Sequence, residues 1–284
     1  MFERLRCPDD ASTLISQGRS LKCKSCKRSY PIHEENLIEL MPTQFPRWNL
    51  GTGDFVDAEE TYRKMCQQRF STGINEMAWG DLRYASPGTR GFYRSQVKGI
   101  LEILTPSPDA TAIDVSGASG NHSRALATMV KAIANCDAHV PSIVVAHNLR
   151  PTNMLCIRAC YLKLPFAANT FDCAICFDTL IRGKNHEVAL LKEILRVLKV
   201  GGQAIVDFHN LKRFKSNRTI KEYDIISVQE LLREASIKQY SIRPFAFVPS
   251  RLVPWTPLWP SLNGIFELIL PCQRYVVHFF KSCE

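Results

Sequence analysis

Long apolar runs are missing from this chain: nowhere in its 284 residues do about 18 apolar residues follow one another, which argues against a bilayer-spanning helix. The opening MFERLRCPDD is charged from its third residue and lacks the apolar stretch of an export signal, so the expected location is cytoplasmic. Blocks of like charge are absent as well. The net charge of +9 comes from Lys and Arg spread along the chain, which reads as a basic but ordinary solvated surface, with nucleic acid or an anionic membrane as the alternative partner. No internal repeat and no low-complexity tract is visible, which excludes repeat architectures and disordered compositions.

What is present is the composition of a globular protein, 45% hydrophobic and 22% charged. The length suits a small module plus a core domain of roughly 180 to 200 residues. Eleven cysteines in a chain with no export signal read mostly as free thiols.

Three regions follow from the pattern. Residues 1–42 hold short extended pieces at LKCKSC and SYPI and close on Pro42, a unit too small to hold a core unaided. Residues 43–90 are rich in Gly, Pro and aromatic residues, show helical spacing only in DAEETYRKMCQQRF, and read as a linker that caps the next domain. From Gly91 to residue 284, apolar strands alternate with amphipathic helices, which predicts a Rossmann-like α/β fold: a doubly wound, mostly parallel sheet with an antiparallel last strand. The predicted strands are TAIDVS, SIVVAHN, a short piece near ACYLKL, DCAICF and GQAIVDF, then the antiparallel pair IKQYSIRPF and QRYVVHFF. Predicted helices fall at FYRSQVKGILEIL, NHSRALATMVKAIA, PTNMLCIRA, HEVALLKEILRVL and SVQELLREAS. The proline-rich stretch with Trp255, Trp259 and Phe266 reads as core packing, with the lining of an apolar substrate pocket or a rest on a membrane interface as alternatives.

Cys7-Pro-Asp-Asp10, twelve residues, then Cys23-Lys-Ser-Cys26 has the two-knuckle spacing of a zinc ribbon, with Asp10 where a fourth cysteine is expected and His33 as the other candidate for that place. A carboxylate oxygen binds zinc at a similar distance, though it is a harder ligand than thiolate. The string LRCPDD…LKCKSCKRSYPI…IELMP resembles the short zinc-ribbon domain of the activator protein of tRNA and rRNA methyltransferases, which is also fused ahead of some bacterial methyltransferases. That resemblance covers about 40 residues and implies structural zinc, with RNA or a protein partner reached through the ribbon.

AIDVSGASGNHSRALA stands where a doubly wound sheet presents its first crossover, and small residues there let the backbone approach a ligand. With LPFAANTFDCAICFDTLIR and EILRVLKVGGQAIVDF following in order, residues 92–281 resemble the class I S-adenosylmethionine-dependent methyltransferases, in the subgroup that methylates ubiquinone and menaquinone precursors. The family's loop reads Asp-x-Gly-x-Gly-x-Gly. Here Asp114 is followed by Ser116, Gly117, Ala118 and Gly120, so two glycines are replaced, and cofactor binding is expected to need negative φ at both replacements. The resemblance places the ribose contact, at the end of the second strand, on Asn148, and the adenine amino contact on Cys160. Leu149, Tyr161 and Phe177 are the apolar candidates around the adenine.

Asp178, His186 and His209 are expected at the carboxyl edge of the sheet, each a candidate base, with no catalytic role assigned to any of them. The Asn/Asp-Pro-Pro-aromatic signature of amino-group methylases of nucleobases is absent after the fourth strand. The function expected is therefore methyl transfer to a small-molecule or lipid-like acceptor. One alternative is an RNA methyltransferase gripping phosphates with Arg4, Arg6, Lys22, Lys24, Lys27 and Arg28; the other is a non-catalytic scaffold that has kept the fold.

Overall fold

The computed structural model describes residues 2–33, 37–44, 87–180, 186–212, 221–245 and 271–283. The expected linker helix DAEETYRKMCQQRF and the Trp255, Trp259 and Phe266 segment lie outside the described residues. Among the described residues, no helix is long and apolar enough to cross a membrane, and every cysteine is a free thiol.

The chain begins with a three-stranded antiparallel sheet, β1 (Leu14–Gln17), β2 (Ser20–Cys23) and β3 (Ser29–Pro31), in the order β1-β2-β3. β4 (Ile38–Leu40) leaves this unit and joins the main sheet. The remaining strands are β5 (Thr111–Val115), β6 (Ala132–Asp137), β7 (Met154–Ala159), β8 (Phe171–Cys176), β9 (Leu198–His209), β10 (Gln239–Phe245) and β11 (Arg274–Phe280). They stand in the order β10-β11-β9-β8-β5-β6-β7-β4, parallel from β9 to β4, with β11 antiparallel to both its neighbours. This is the predicted doubly wound sheet with an antiparallel close.

Period-two alternation sends successive side chains to opposite faces. From β5, Ile113 and Val115 enter one core while Ala112 enters the other; from β8, Ala174 and Cys176 part from Cys173 and Ile175 in the same way. One face is covered by α1 (Pro87–Leu104), α2 (Asn121–Leu126) and α3 (Val140–Asn148) through Ile100, Leu104, Leu126, Ile143 and Ala146. The other is covered by α4 (Glu187–Val197) and α5 (Ile225–Glu234), and in the same core sit Leu5, Cys7, Leu21 and Tyr30 of the ribbon.

The small N-terminal sheet is thus continuous with the main core. Strand β4 pairs in parallel with β7, Ile38 opposite Ile157 and Leu40 opposite Ala159, and so covers the backbone groups of what would otherwise be an open sheet edge. Glu39 on β4 accepts from Arg158 at 2.6 Å across this seam. Two further backbone bonds, Arg6 N to Pro165 O at 3.0 Å and Ala167 N to Arg4 O at 2.8 Å, fasten the chain just before Cys7 to the loop that follows β7.

Between β5 and β7 the structure corrects the predicted elements. SIVVAHN is helical, within α3; the second strand is AIANCD, not the tail of a helix; and MLCIRA is strand β7 rather than helix. The predicted βα unit is displaced by about half its length, because short apolar runs of this kind fit either period. The deciding signal is nonetheless local. Pro141 stands in the first turn of α3, where its missing N–H costs nothing and its fixed φ suits a helix start.

Candidate functional site

The loop between β5 and α2 stands at the carboxyl edge of the sheet, next to the point where successive crossovers go to opposite sides. The expectation of negative φ at the two replaced glycines is overturned: Ser116 has φ 57 and Ala118 φ 45, alongside Gly120 at φ 74. The loop keeps a glycine-type path although two of its residues carry a Cβ, and such positions cost about 1–2 kcal/mol each. They persist because their surroundings over-determine them. The Ala118 amide donates to Asp137 Oδ2 at 2.9 Å, and its carbonyl accepts from Asn135 Nδ2 at 3.2 Å. Removing either Cβ therefore relieves strain already being carried, partly offset by the greater freedom of glycine in the unfolded chain. Ser116→Gly and Ala118→Gly are each expected to stabilise by about 0.5–1 kcal/mol, read as a rise in thermal midpoint.

Gly117 is held by contact rather than by conformation. A Cβ there would stand 2.1 Å from Asn135 Oδ1 and 2.5 Å from Asp114 Cγ. Asp114 is buried and accepts from Ser123 Oγ at 2.6 Å; burial pushes its carboxyl up to about 7, against the Ser123 bond and helped by the charge of Asp137. Asn135 Oδ1, which has no hydrogen-bond partner among the described residues, faces the same space, where a protonated Asp114 would supply a donor. Because the folded-state pKa lies above the ordinary 3.8, the native protein keeps this proton where the unfolded chain has lost it, so stability falls as pH rises from about 4 to about 7 and then levels. Asp114→Asn should remove that contribution to the slope, as measured by urea midpoints across this range.

Asn148 is not at a strand end. It is the exposed last residue of α3, and the end of the second strand, where it is expected, is occupied by Asp137, the final residue of β6. The Asp137 carboxylate accepts from the Ala118 and His139 amides, the latter at 2.7 Å, so it ties β6 to the loop. Sequence reasoning misses this acid because it takes β6 for helix. Cys160 and Tyr161 follow β7 directly and are buried, and the Tyr161 hydroxyl bonds His186 Nδ1 at 3.2 Å. Phe177, just past β8, stacks on His122 of α2 with ring centroids 5.2 Å apart; burial pushes the imidazole of His122 down to about 4, so it is neutral. Leu149 is the half-buried C-cap of α3.

Of the three candidate bases, the structure brings Asp178 and His209 together and leaves His186 with Tyr161. His209 Nε2 lies 3.1 Å from Asp178 Oδ1, and the Asp178 amide donates to Asp207 Oδ1 at 2.7 Å. A third partner had no sequence signal: Arg274 at the start of β11 pairs with Asp178 at 2.7 Å and with Asp207. Burial raises the Asp178 carboxyl, but Arg274 and His209 together outweigh it and hold the group well below the usual carboxylate range. For Asp207 burial prevails, and its carboxyl is pushed up.

In the ribbon, Cys7, Asp10, Cys23 and Cys26 bring their ligand atoms within 4.8 Å of one another. A tetrahedral ion with zinc–sulfur bonds of about 2.3 Å requires ligand separations of roughly 3.5–3.8 Å. Cys7 Sγ and Cys26 Sγ are 3.7 Å apart, within that range, and Cys23 Sγ is 3.4 Å from Asp10 Oδ1, just under it, so these two pairs are close to what a zinc ion would need. Tyr30 Oη at 3.0 Å from Cys7 Sγ, and the Ser25 amide at 3.4 Å from Cys23 Sγ, orient the sulfurs. His33, the other candidate for the fourth place, lies outside this group and bonds Glu39 at 3.3 Å.

Comparison with known proteins agrees with this architecture. Residues 113–206, from β5 to β9, match a family described as a methyltransferase domain. Over 116 residues the chain is 28% identical to a demethylmenaquinone methyltransferase of Beutenbergia cavernae, covering 41% of this chain and 48% of that protein. Over 110 residues it is 32% identical to the protein of the same name from Corynebacterium kroppenstedtii, covering 38% and 46%. The chain thus spans about half the length of the curated relatives it matches. Haemonchus contortus phosphoethanolamine N-methyltransferase 2, solved with S-adenosyl-L-methionine, aligns with a TM-score of 0.57 at 15% identity, over 78% of this chain and 60% of that one. The chain has the Rossmann-like methyltransferase fold, and its segment from β5 to β9 is similar in sequence to methyltransferase domains.

Proposed function

We propose that this protein is an S-adenosylmethionine-dependent methyltransferase acting on a small-molecule or lipid-like acceptor, and that residues 1–42 are a zinc-bound ribbon that braces its cofactor site. The observation that carries the reading is the joint between Ala118 and Asp137: an acidic side chain at the end of β6 grips the glycine-type loop after β5. Asp114, Ser116, Gly117, Ala118 and Gly120 form the loop, Asp137 takes the ribose hydroxyls in place of Asn148, and Cys160, Tyr161, Phe177 and Leu149 surround the adenine. The cofactor, when bound, supplies an electrophilic methyl group. The chain's own task is then to align the acceptor and keep water out.

Cys7, Asp10, Cys23 and Cys26 are the proposed zinc ligands. The metal would fix the segment whose neighbours Arg4 and Arg6 clamp the loop after β7, so it supports the adenine side without touching it. The RNA alternative is not favoured by the ribbon's arginines, since Arg28 pairs with Asp9 and Arg6 donates to the backbone carbonyls of Glu3 and Leu5.

The test is calorimetric titration of the purified chain with S-adenosylmethionine and S-adenosylhomocysteine, with zinc measured on the same sample. Low-micromolar binding, about one zinc per chain and loss of binding in Gly120→Arg are expected; a Cβ at Gly120 already meets Met154 Cε at 2.8 Å. A folded, zinc-loaded sample that binds neither compound would leave the scaffold reading.

A further inference from the structure

We propose that Asp178 determines acceptor specificity, receiving a protonated amine of the acceptor beside the position of the transferred methyl group. This rests on the cofactor assignment above and adds to it a substrate class.

Placement comes first. Asp114 of β5 is in register with Ile175 of β8, so Asp178, three residues beyond Ile175, and the loop beginning at Ser116, two residues beyond Asp114, leave adjacent parallel strands at the same edge. The stack of Phe177 on His122 joins the two segments. Asp178 therefore borders the cofactor loop on the side away from Asp137, which ends β6.

The carboxylate is held in one pose. Its φ is 57, its amide is bonded to Asp207, and the contacts of its side chain with Arg274 and His209 converge on Oδ1. Of the four charged or titratable groups gathered here it alone is substantially open: the side chain of Asp178 is 39% exposed, against 7% for His209, 12% for Arg274 and 0% for Asp207. Among the described residues its side-chain contacts fall on Oδ1, which leaves Oδ2 for a ligand. A group pinned in this way needs no reorganisation when a charge arrives, which is the condition for strong electrostatic recognition.

Charge decides the class of ligand. Two carboxylates share one guanidinium, and the exposed one is the one its neighbours hold ionised. A divalent metal would also suit Asp178, Asp207 and His209, whose ligand atoms lie within 4.8 Å of one another, but the guanidinium of Arg274 already holds both carboxylates and an ion would have to displace it. A carboxylate kept ionised by its neighbours is a weak proton acceptor, so Asp178 binds and positions rather than acting as the base.

Sinefungin is a usable probe, because it carries a protonated amine where S-adenosylmethionine carries its reactive methyl. Titrating the full chain with sinefungin and with S-adenosylhomocysteine should give at least tenfold tighter binding of sinefungin, and Asp178→Asn should abolish that preference, with S-adenosylhomocysteine binding in the variant showing that its fold and cofactor loop survive. Equal affinities in the unmodified protein, or a preference that persists in the Asn variant, would overturn the proposal while leaving the cofactor reading intact. If the Asn variant does not fold, the ratio in the unmodified protein decides alone. A folded unmodified protein that binds neither compound overturns the cofactor reading and this proposal with it.

Discussion

Arg274→Leu is expected to destabilise the fold by about 3–5 kcal/mol, chiefly the cost of leaving the buried Asp207 carboxylate without its cation. Asp207 is fully enclosed and holds the Asp178 amide, so its charge cannot turn away to water when the guanidinium is lost. Urea unfolding at neutral pH would show the effect as a lowered midpoint at unchanged slope. Arg274→Lys should recover only part of the loss, because a single ammonium cannot reproduce the planar fork that reaches both carboxylates. Combining Asp207→Asn with Arg274→Leu should cost less than Arg274→Leu alone, since one uncompensated charge then disappears. A drop of under 1 kcal/mol in Arg274→Leu would show that the two acids are solvated in the native state.

Gly117→Ala is the second change with a large expected effect. The added Cβ would overlap Asn135 Oδ1 and Asp114 Cγ, both fully buried and fastened to Ala118 and Ser123 respectively. Overpacking commonly costs about 1–3 kcal/mol and here has no flexible neighbour to absorb it, so a loss of about 3 kcal/mol is expected, with cofactor binding falling below detection. Gly18 and Gly201 supply the control. Both have positive φ, 59 and 77, but a Cβ added at either would meet no atom within 4 Å, so their alanine variants should lose only the backbone term of about 1–2 kcal/mol and keep cofactor affinity. If Gly117→Ala behaves like these two, the loop is looser than its contacts imply.

Much of this architecture can be read from the chain because its signals are local. The loop from Asp114 to Gly120, the apolar strands TAIDVS and DCAICF, and the amphipathic helix ending in RVL each lie within a dozen residues, and their periods are unambiguous. The knuckle spacing around Cys7 and Cys23 is of the same kind, and the structure brings those four side chains together. Local pattern misleads at residues 132–159, where AIANCD and SIVVAHN are similar short apolar runs and only Pro141 separates strand from helix. That one ambiguity makes Asn148 look like the end of a strand, a place the structure gives to Asp137.

Other features depend on distance in sequence. The pairing of β4 with β7 joins Ile38 to Ile157, and Glu39 meets Arg158 across 119 positions. Arg274 reaches Asp207 across 67 positions because β11 returns antiparallel beside β9, with Arg274 opposite His209 and Val276 opposite Asp207. Nothing near any of these residues announces its partner. The sequence by itself determined the alternation of strands and helices outside residues 132–159, the position of the glycine-type loop after β5 and the four metal-ligand candidates, since these follow from short-range pattern and residue chemistry. Only the tertiary structure decided which acid faces the loop, where the ribbon docks and which charges share Arg274, because strand order and register bring distant residues together only once the sheet has assembled.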